Sequence, residues 1–363
     1  MAIAGFGKTQ IRYDMFDLVS NAEEAKRLHK CERIYHRAQE MAWDGKDILP
    51  MLMEKHGGIN LPDDKKEALK RVFAIILWGE LAAWKISAQL ADELVPLEAK
   101  LAVTSQAFDE ARHFYVIHDY LNEIGYQPDR LDRAPQALLD LVLQTPNMAY
   151  KLLGMQLMVE TIALTIFQTV RESNVEPVLS ELMKYFERDE ARHVGLGMQY
   201  LPSLISRMSK REVTQMITFQ VRVMVWALWE NKILEKDFAV LGIDPRKILD
   251  RGRKKQLAAL HEAFNCLGID WQKDRNYAVS TLNAAIEFLF PTDETKGRPF
   301  KKFDAAWQAF FKRDDVHSTA EFDVHNTHDI LTARETANKK SAKAKSAKAK
   351  SAKAPAEPDS KTK

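Results

Sequence analysis

Asp109-Glu110-Ala111-Arg112-His113 recurs eighty residues later as Asp189-Glu190-Ala191-Arg192-His193. Working outward from the two copies, Glu80 lies thirty residues before Glu110, and Glu160 lies thirty residues before Glu190. A single Glu-x-x-His would carry little weight, because short motifs recur by accident. Two copies in register, each preceded by a glutamate at the same distance, read as an internal duplication of a metal-ligand pattern.

Helical phase agrees with this reading. Phe73, Leu77, Glu80 and Trp84 step by four, three and four, and Leu153, Leu157, Glu160, Leu164 and Phe167 do the same, so both lone carboxylates fall within apolar stripes. Val103, Ala107, Glu110, Phe114 and Ile117 mark the stripe of the next helix, with His113 beside Glu110 because positions three apart share a face. Met183, Phe186, Glu190, Val194 and Gly197 repeat it around His193. Ionised carboxylates in such surroundings cost several kcal/mol unless paired. Four glutamates would balance two divalent cations.

The spacing also predicts two antiparallel helical hairpins. Leu94-Val95-Pro96 lies halfway between Glu80 and Glu110, and Asn174-Val175-Glu176-Pro177 halfway between Glu160 and Glu190, both suited to a turn before a helix-starting proline. Fifteen residues of helix on either side set each ligand about 22 Å from its turn. The link from Gly125 to Pro146 is long enough for a crossover.

The chain has 363 residues and reads as helix almost throughout. The expected division is a helical extension over 1–62, a four-helix core over 63–204, further helices over 205–330 packed on that core, and a tail over 331–363. Asn21 with Glu24 predicts a helix start running to Met41, and Gly45, Pro50 and Gly57-Gly58 mark a looped passage. His29, His36 and His56 read as surface or packing residues without carboxylate partners in phase. Ser209 with Glu212 predicts a capping box opening a helix to Leu241, and Asp244-Pro245 opens another. Trp226 and Trp229 read as core packing rather than a partner-binding face. Cys31 and Cys266 stand far apart without metal-type spacing, which fits a reducing, cytoplasmic setting, and no signal-peptide pattern opens the sequence. Leu152 to Val170 is apolar enough to imitate a membrane span, but Glu160 at its centre favours a buried helix. From Lys339 onward nine lysines face Glu357 and Asp359, a local charge of plus seven in a chain of net plus two. Such a segment cannot bury a core and is expected to be disordered. Charge alone would let it contact nucleic acid or anionic lipid, a solubilising arm being the alternative.

One Glu from each of two helices and Glu-x-x-His from each of two others is the inventory of ferritin-like dinuclear carboxylate bundles. In those residues the chain resembles the oxygen-activating di-iron carboxylate proteins: the ribonucleotide reductase small subunit, the bacterial multicomponent monooxygenase hydroxylases and the acyl carrier protein desaturases. The resemblance covers Asp63 to Leu204. It implies an all-α, ferritin-like four-helix bundle in which Glu80, Glu110, His113, Glu160, Glu190 and His193 hold two Fe ions or a Mn/Fe pair. It further implies that Glu110 and Glu190 bridge the metals while Glu80 and Glu160 are terminal. Mixed nitrogen and carboxylate ligation suits iron or manganese and leaves positions for dioxygen. Asp109 and Asp189, with Arg112 and Arg192, are expected to hold the far nitrogens of the histidines, each from the opposite half.

No specific branch is matched. The reductase radical tyrosine would fall at Ile117, where the second half has Gly197; the hydroxylase threonine would fall at Leu164, the desaturase threonine at Ala163, and the extra histidine of the arylamine oxygenases at Phe186. Trp84, Gln106, Phe114, Gln156, Leu164, Phe186 and Gly197 are the candidate lining of a substrate pocket, suited to an apolar molecule. The function expected is a di-iron oxygenase or oxidase that activates O2 to hydroxylate, desaturate or N-oxygenate a small organic or acyl-type substrate. Electrons would come from a ferredoxin or flavin reductase, since no flavin, nicotinamide or iron–sulfur motif is present. A homodimer is compatible with this reading. The alternatives are a ferroxidase or peroxide-consuming protein, and a metal-stabilised binding protein whose basic tail contacts DNA or lipid.

Overall fold

The computed structural model describes residues 18–128, 130–265 and 277–312. The tail, Cys266 and the first seventeen residues lie outside them. Among the described residues all regular structure is helical, and four long helical segments form the ferritin-like bundle.

The first hairpin joins α3 (Asp63–Glu93) to α4 (Leu97–Glu123). Leu94 is extended at ψ 136° because the following residues lead into Pro96, whose fixed φ opens α4. In the second hairpin one continuous helical run comprises α6 (Met148–Leu152), a π-helical turn (Leu153–Val159) and α7 (Glu160–Ser173), and it is followed by α8 (Pro177–Ile205). Asn174 ends α7 in the left-handed conformation at φ 46°. Pro177 then starts α8, and the Glu176 side chain accepts from the backbone N–H of Val178 and Leu179. That carboxylate is fully buried and also accepts from the Tyr120 hydroxyl at 3.2 Å, tying the second turn to the first hairpin.

Two apolar clusters fill the bundle. One holds Phe73 and Leu77 of α3, Ile117 of α4, Phe167 of α7 and Met183 of α8; the other holds Ala83, Val103, Leu157 and Val194. On every helix the ligand candidates fall between the two clusters, so a polar layer is sandwiched at mid-height. The segment Met148–Ser173 has the length and hydropathy of a membrane span, but 78% of its most apolar window is buried. It is the core helix of this bundle.

The link between hairpins carries a helix of its own, α5 (Arg133–Gln144), which packs against α3 and α9 (Lys210–Ile233). The N-terminal helix α1 (Leu18–Glu40) lies on α4 and α8, and Asn21 falls inside it rather than at its start. Pro50 lies within α2 (Gly45–His56), so the expected looped passage is largely helical; Asp44 caps this helix and Gly57 ends it at φ 72°. Ser209 and Glu212 form the capping box of α9 (Lys210–Ile233). The helix expected to reach Leu241 breaks at Leu234, whose turn lets Leu234, Phe238 of α10 (Glu235–Val240) and Leu241 enter the core. Then follow α11 (Pro245–Asn265), α12 (Tyr277–Leu289) and α13 (Pro299–Phe311). Trp226 is half-buried against the core, whereas Trp229 is exposed, contrary to the packing expected of it. His36 and His56 do have carboxylate neighbours, Glu32 at 3.6 Å and Glu181 at 3.2 Å, both away from the bundle centre.

Candidate dinuclear metal centre

Glu80, Glu110, His113, Glu160, Glu190 and His193 converge in the polar layer, none more than 4% exposed. They form two overlapping groups of donor atoms: Glu80, Glu110, His113 and Glu190 in one, and Glu110, Glu160, Glu190 and His193 in the other, the atoms of each within 4.8 Å of one another. Glu110 and Glu190 belong to both groups, the arrangement that bridging ligands require. The Nδ1 atom of each histidine faces inward: His113 Nδ1 is 3.3 Å from Glu80 and 3.1 Å from Glu190, and His193 Nδ1 is 2.9 Å from Glu110 and 3.0 Å from Glu190.

The outward nitrogens meet aspartates from the other hairpin. His113 Nε2 is 3.2 Å from Asp189, and His193 Nε2 is 3.3 Å from Asp109. Arg112 donates to Asp109 and, at 2.8 Å, to Asp189. Arg192 donates to both aspartates at 2.8 Å. Each carboxylate is thus held by two guanidinium groups, and each imidazole is fixed with Nδ1 towards the centre.

Trp43, between α1 and α2, completes this layer. Its indole N–H donates to Asp189 at 2.7 Å, and the Arg112 guanidinium lies over its ring at 4.6 Å. Sequence reasoning missed it because nothing in its neighbourhood repeats. The π-helical turn was missed as well. It ends at Glu160, whose backbone N–H reaches Met155 five residues back, and single π turns of this kind cluster at functional sites. Gln156, inside that turn, donates to Gln106 at 3.3 Å, and Gln106 donates to Glu110 at 3.0 Å and Glu160 at 2.8 Å.

The donor set fits two divalent cations. Burial holds the Glu80 and Glu160 carboxyls well above the usual carboxylate range. It opposes ionisation of Glu110 and Glu190 too, but the two imidazoles overcome it and hold both below that range. Glu110 Oε2, Glu190 Oε1 and His113 Nδ1 are buried without a hydrogen bond, although each points into the cage. Such orphaned atoms are costly unless something else satisfies them.

The residues expected to line a pocket instead support the cage or pack the bundle. Phe186 stacks on the His113 ring with centroids 4.2 Å apart. Gln106 and Gln156 form the amide chain to the glutamates. Leu164 is fully buried, and Trp84 and Phe114 pack on each other. A side chain at Gly197 would meet Leu157 at 2.7 Å and Gln156 at 2.8 Å, so this glycine permits close helix contact rather than opening space. A small cleft of about 70 Å³, partly open to solvent, is lined by Glu80 and Glu160 together with Ile76, Gly79, Leu138 and Ile162.

Residues 95–265 match a family model described as P-aminobenzoate N-oxygenase AurF, a span that holds five of the six ligand candidates and begins after Glu80. No curated protein sequence matches the chain. Among solved structures, an aldehyde deformylating oxidase from Synechococcus is similar over 61% of this chain and 96% of its own, with 18% identity and a TM-score of 0.51. A variant R2-like ligand-binding oxidase with a Mn/Fe cofactor is similar over 69% of this chain and 98% of its own, with 16% identity and a TM-score of 0.52. A further variant of that oxidase, carrying an Fe/Fe cofactor, covers 64% and 92%, with 15% identity and a TM-score of 0.50. At these identities the likeness establishes the fold.

Proposed function

We propose that this chain, a member of the ferritin-like superfamily of O2-dependent di-iron oxygenases and oxidases, oxidises a small, largely apolar organic molecule bound in the cleft beside Glu80 and Glu160. The carrying observation is the pair of overlapping donor groups that share Glu110 and Glu190 while the remaining two glutamates line a cleft. The six residues Glu80, Glu110, His113, Glu160, Glu190 and His193 would hold two Fe ions or a Mn/Fe pair. When bound, the metals would supply the electrons that reduce dioxygen.

The chain's own residues perform the rest. Asp109 and Asp189 orient the imidazoles, and Arg112 and Arg192 keep those aspartates ionised and in place. Gln106 holds Glu110 and Glu160 in fixed relative positions by donating to both. The apolar walls of the cleft exclude water from the side on which an organic substrate would approach. The match to an N-oxygenase family model favours nitrogen as the atom oxidised, with hydroxylation of carbon as the second outcome. Repeated turnover draws electrons from a separate ferredoxin or flavoprotein.

Oxygen uptake by the Fe(II)-loaded protein tests this reading. Small apolar amines should accelerate uptake at substoichiometric oxygen, and Gly79→Leu, whose Cβ would meet nothing within 4 Å and whose side chain would enter the cleft, should abolish the acceleration while iron content is kept. Acceleration unchanged in Gly79→Leu would remove the cleft from the mechanism. Uptake driven only by excess Fe(II), with no organic compound affecting it, would indicate a ferroxidase.

A further inference from the structure

The cleft beside the metal cage contains one ionisable group that the cage does not use. Glu230 comes from α9, outside the four-helix core, and lines the same cleft as Glu80 and Glu160. Its other neighbours there are aliphatic: Ile75, Ile76, Leu138, Leu139, Val159 and Ile166. Among the described residues no arginine, lysine, histidine or hydroxyl is paired with its carboxylate. Several buried carboxylates away from this cleft are paired within the chain: Glu187 by Arg171 at 2.6 Å, Glu176 by two backbone N–H groups, and Asp109 and Asp189 by two arginines each. Glu230 is therefore a polar group held in an apolar cleft without a partner from the chain. Its side chain is half-buried, so a ligand that enters the cleft desolvates the carboxylate and must supply a donor in exchange.

We propose that Glu230 is a specificity-determining residue that accepts a hydrogen bond from an N–H group on the substrate's non-reacting end, so that the cleft selects amine-bearing molecules and rejects carboxylates. This rests on the cleft being the substrate site. Its sign follows from charge. An anionic substrate end placed beside Glu230 would meet a like charge in a low-dielectric cleft, whereas an ammonium or neutral amine supplies the missing donor. Burial alone pushes the Glu230 carboxyl up to about 7, so the like-charge penalty acts above that pH, where the group is ionised. Gly79 of α3 supports the same geometry: nothing stands within 4 Å of where its side chain would begin, so the cleft wall is open there.

Binding of two probes of matched size, benzylamine and benzoate, to the metal-loaded protein at pH 8.5 by isothermal titration calorimetry tests the assignment. The wild type should bind benzylamine at least tenfold more tightly than benzoate. Glu230→Gln should weaken benzylamine at least tenfold and narrow the gap, with metal content unchanged; Gly79→Leu should abolish binding of both. Equal or tighter binding of benzoate, no binding of benzylamine, or benzylamine affinity unaltered in Glu230→Gln would each overturn the role of Glu230. If Gly79→Leu blocks both probes while Glu230→Gln alters neither, the cleft stands as the substrate site and Glu230 falls. If Gly79→Leu alters neither, the cleft itself falls.

Discussion

Asp109 and Asp189 each reach across to the histidine of the other hairpin, and that exchange gives the duplicated pentapeptide its physical meaning. The aspartate precedes its own ligand glutamate but serves the opposite imidazole. Removing either carboxylate should leave an imidazole free to turn and should lower metal affinity roughly 10- to 100-fold, the usual cost of losing such a partner. Competitive titration of Asp109→Ala and Asp189→Ala with a chromogenic chelator measures this; affinity equal to wild type would show that the pairing does not orient the ligands. Cys31 allows a second prediction at this scale. Its thiol is fully buried, and desolvation, assisted by the nearby charge of Glu98, pushes it up to about 12. It should resist iodoacetamide at pH 8 in the folded protein and react once unfolded, as read by peptide mapping. The ligand candidates and their aspartates were legible in the sequence because a repeat in register is visible without coordinates. Trp43 was not, since it binds a residue 146 positions away and sits in an unpatterned loop. Glu230 was equally hidden: it is one acid on a helix outside the repeat, and only the packing of α9 over the cleft gives it significance.

At the scale of the elements, two glycines in the ligand-bearing helices have opposite roles. Gly79 faces open space within α3, so Gly79→Ala should gain up to about 1 kcal/mol from helix propensity alone. Gly197 is pressed against Leu157 and Gln156 of the π-helical turn, and Gly197→Ala should cost a net ~1–2 kcal/mol through overpacking. Chemical denaturation of both variants checks the pair, and a stabilised Gly197→Ala would contradict the contact. The hairpin turns were legible because Pro96, Asn174 and Pro177 are local signals. The π turn was not, because an apolar run such as Leu153–Val159 has much the same pattern whether wound at 3.6 residues or more per turn. The pocket reading failed for a related reason. Residues in helical phase with ligands point at the ligands, so Phe186, Gln106 and Gln156 support the cage, while the cleft is walled by positions just out of phase, such as Gly79 and Val159, and by α5 and α9.

For the whole molecule, the polar layer divides the core into two apolar clusters, and each ligand-bearing helix contributes to both. Metals that bind this layer in the folded state alone should stabilise the whole bundle, by about 4 kcal/mol at a free concentration a thousand times the Kd. Chelation should accordingly lower Tm, and calorimetry of the chelated and reloaded protein measures the difference. The central claim is that the two repeats build one dinuclear centre sharing Glu110 and Glu190. The most direct test is metal stoichiometry after anaerobic Fe(II) loading of the wild type, Glu110→Ala and Glu190→Ala. Two irons per chain in the wild type, and no dinuclear loading in either variant, is the predicted result; wild-type metal content in either variant would contradict it.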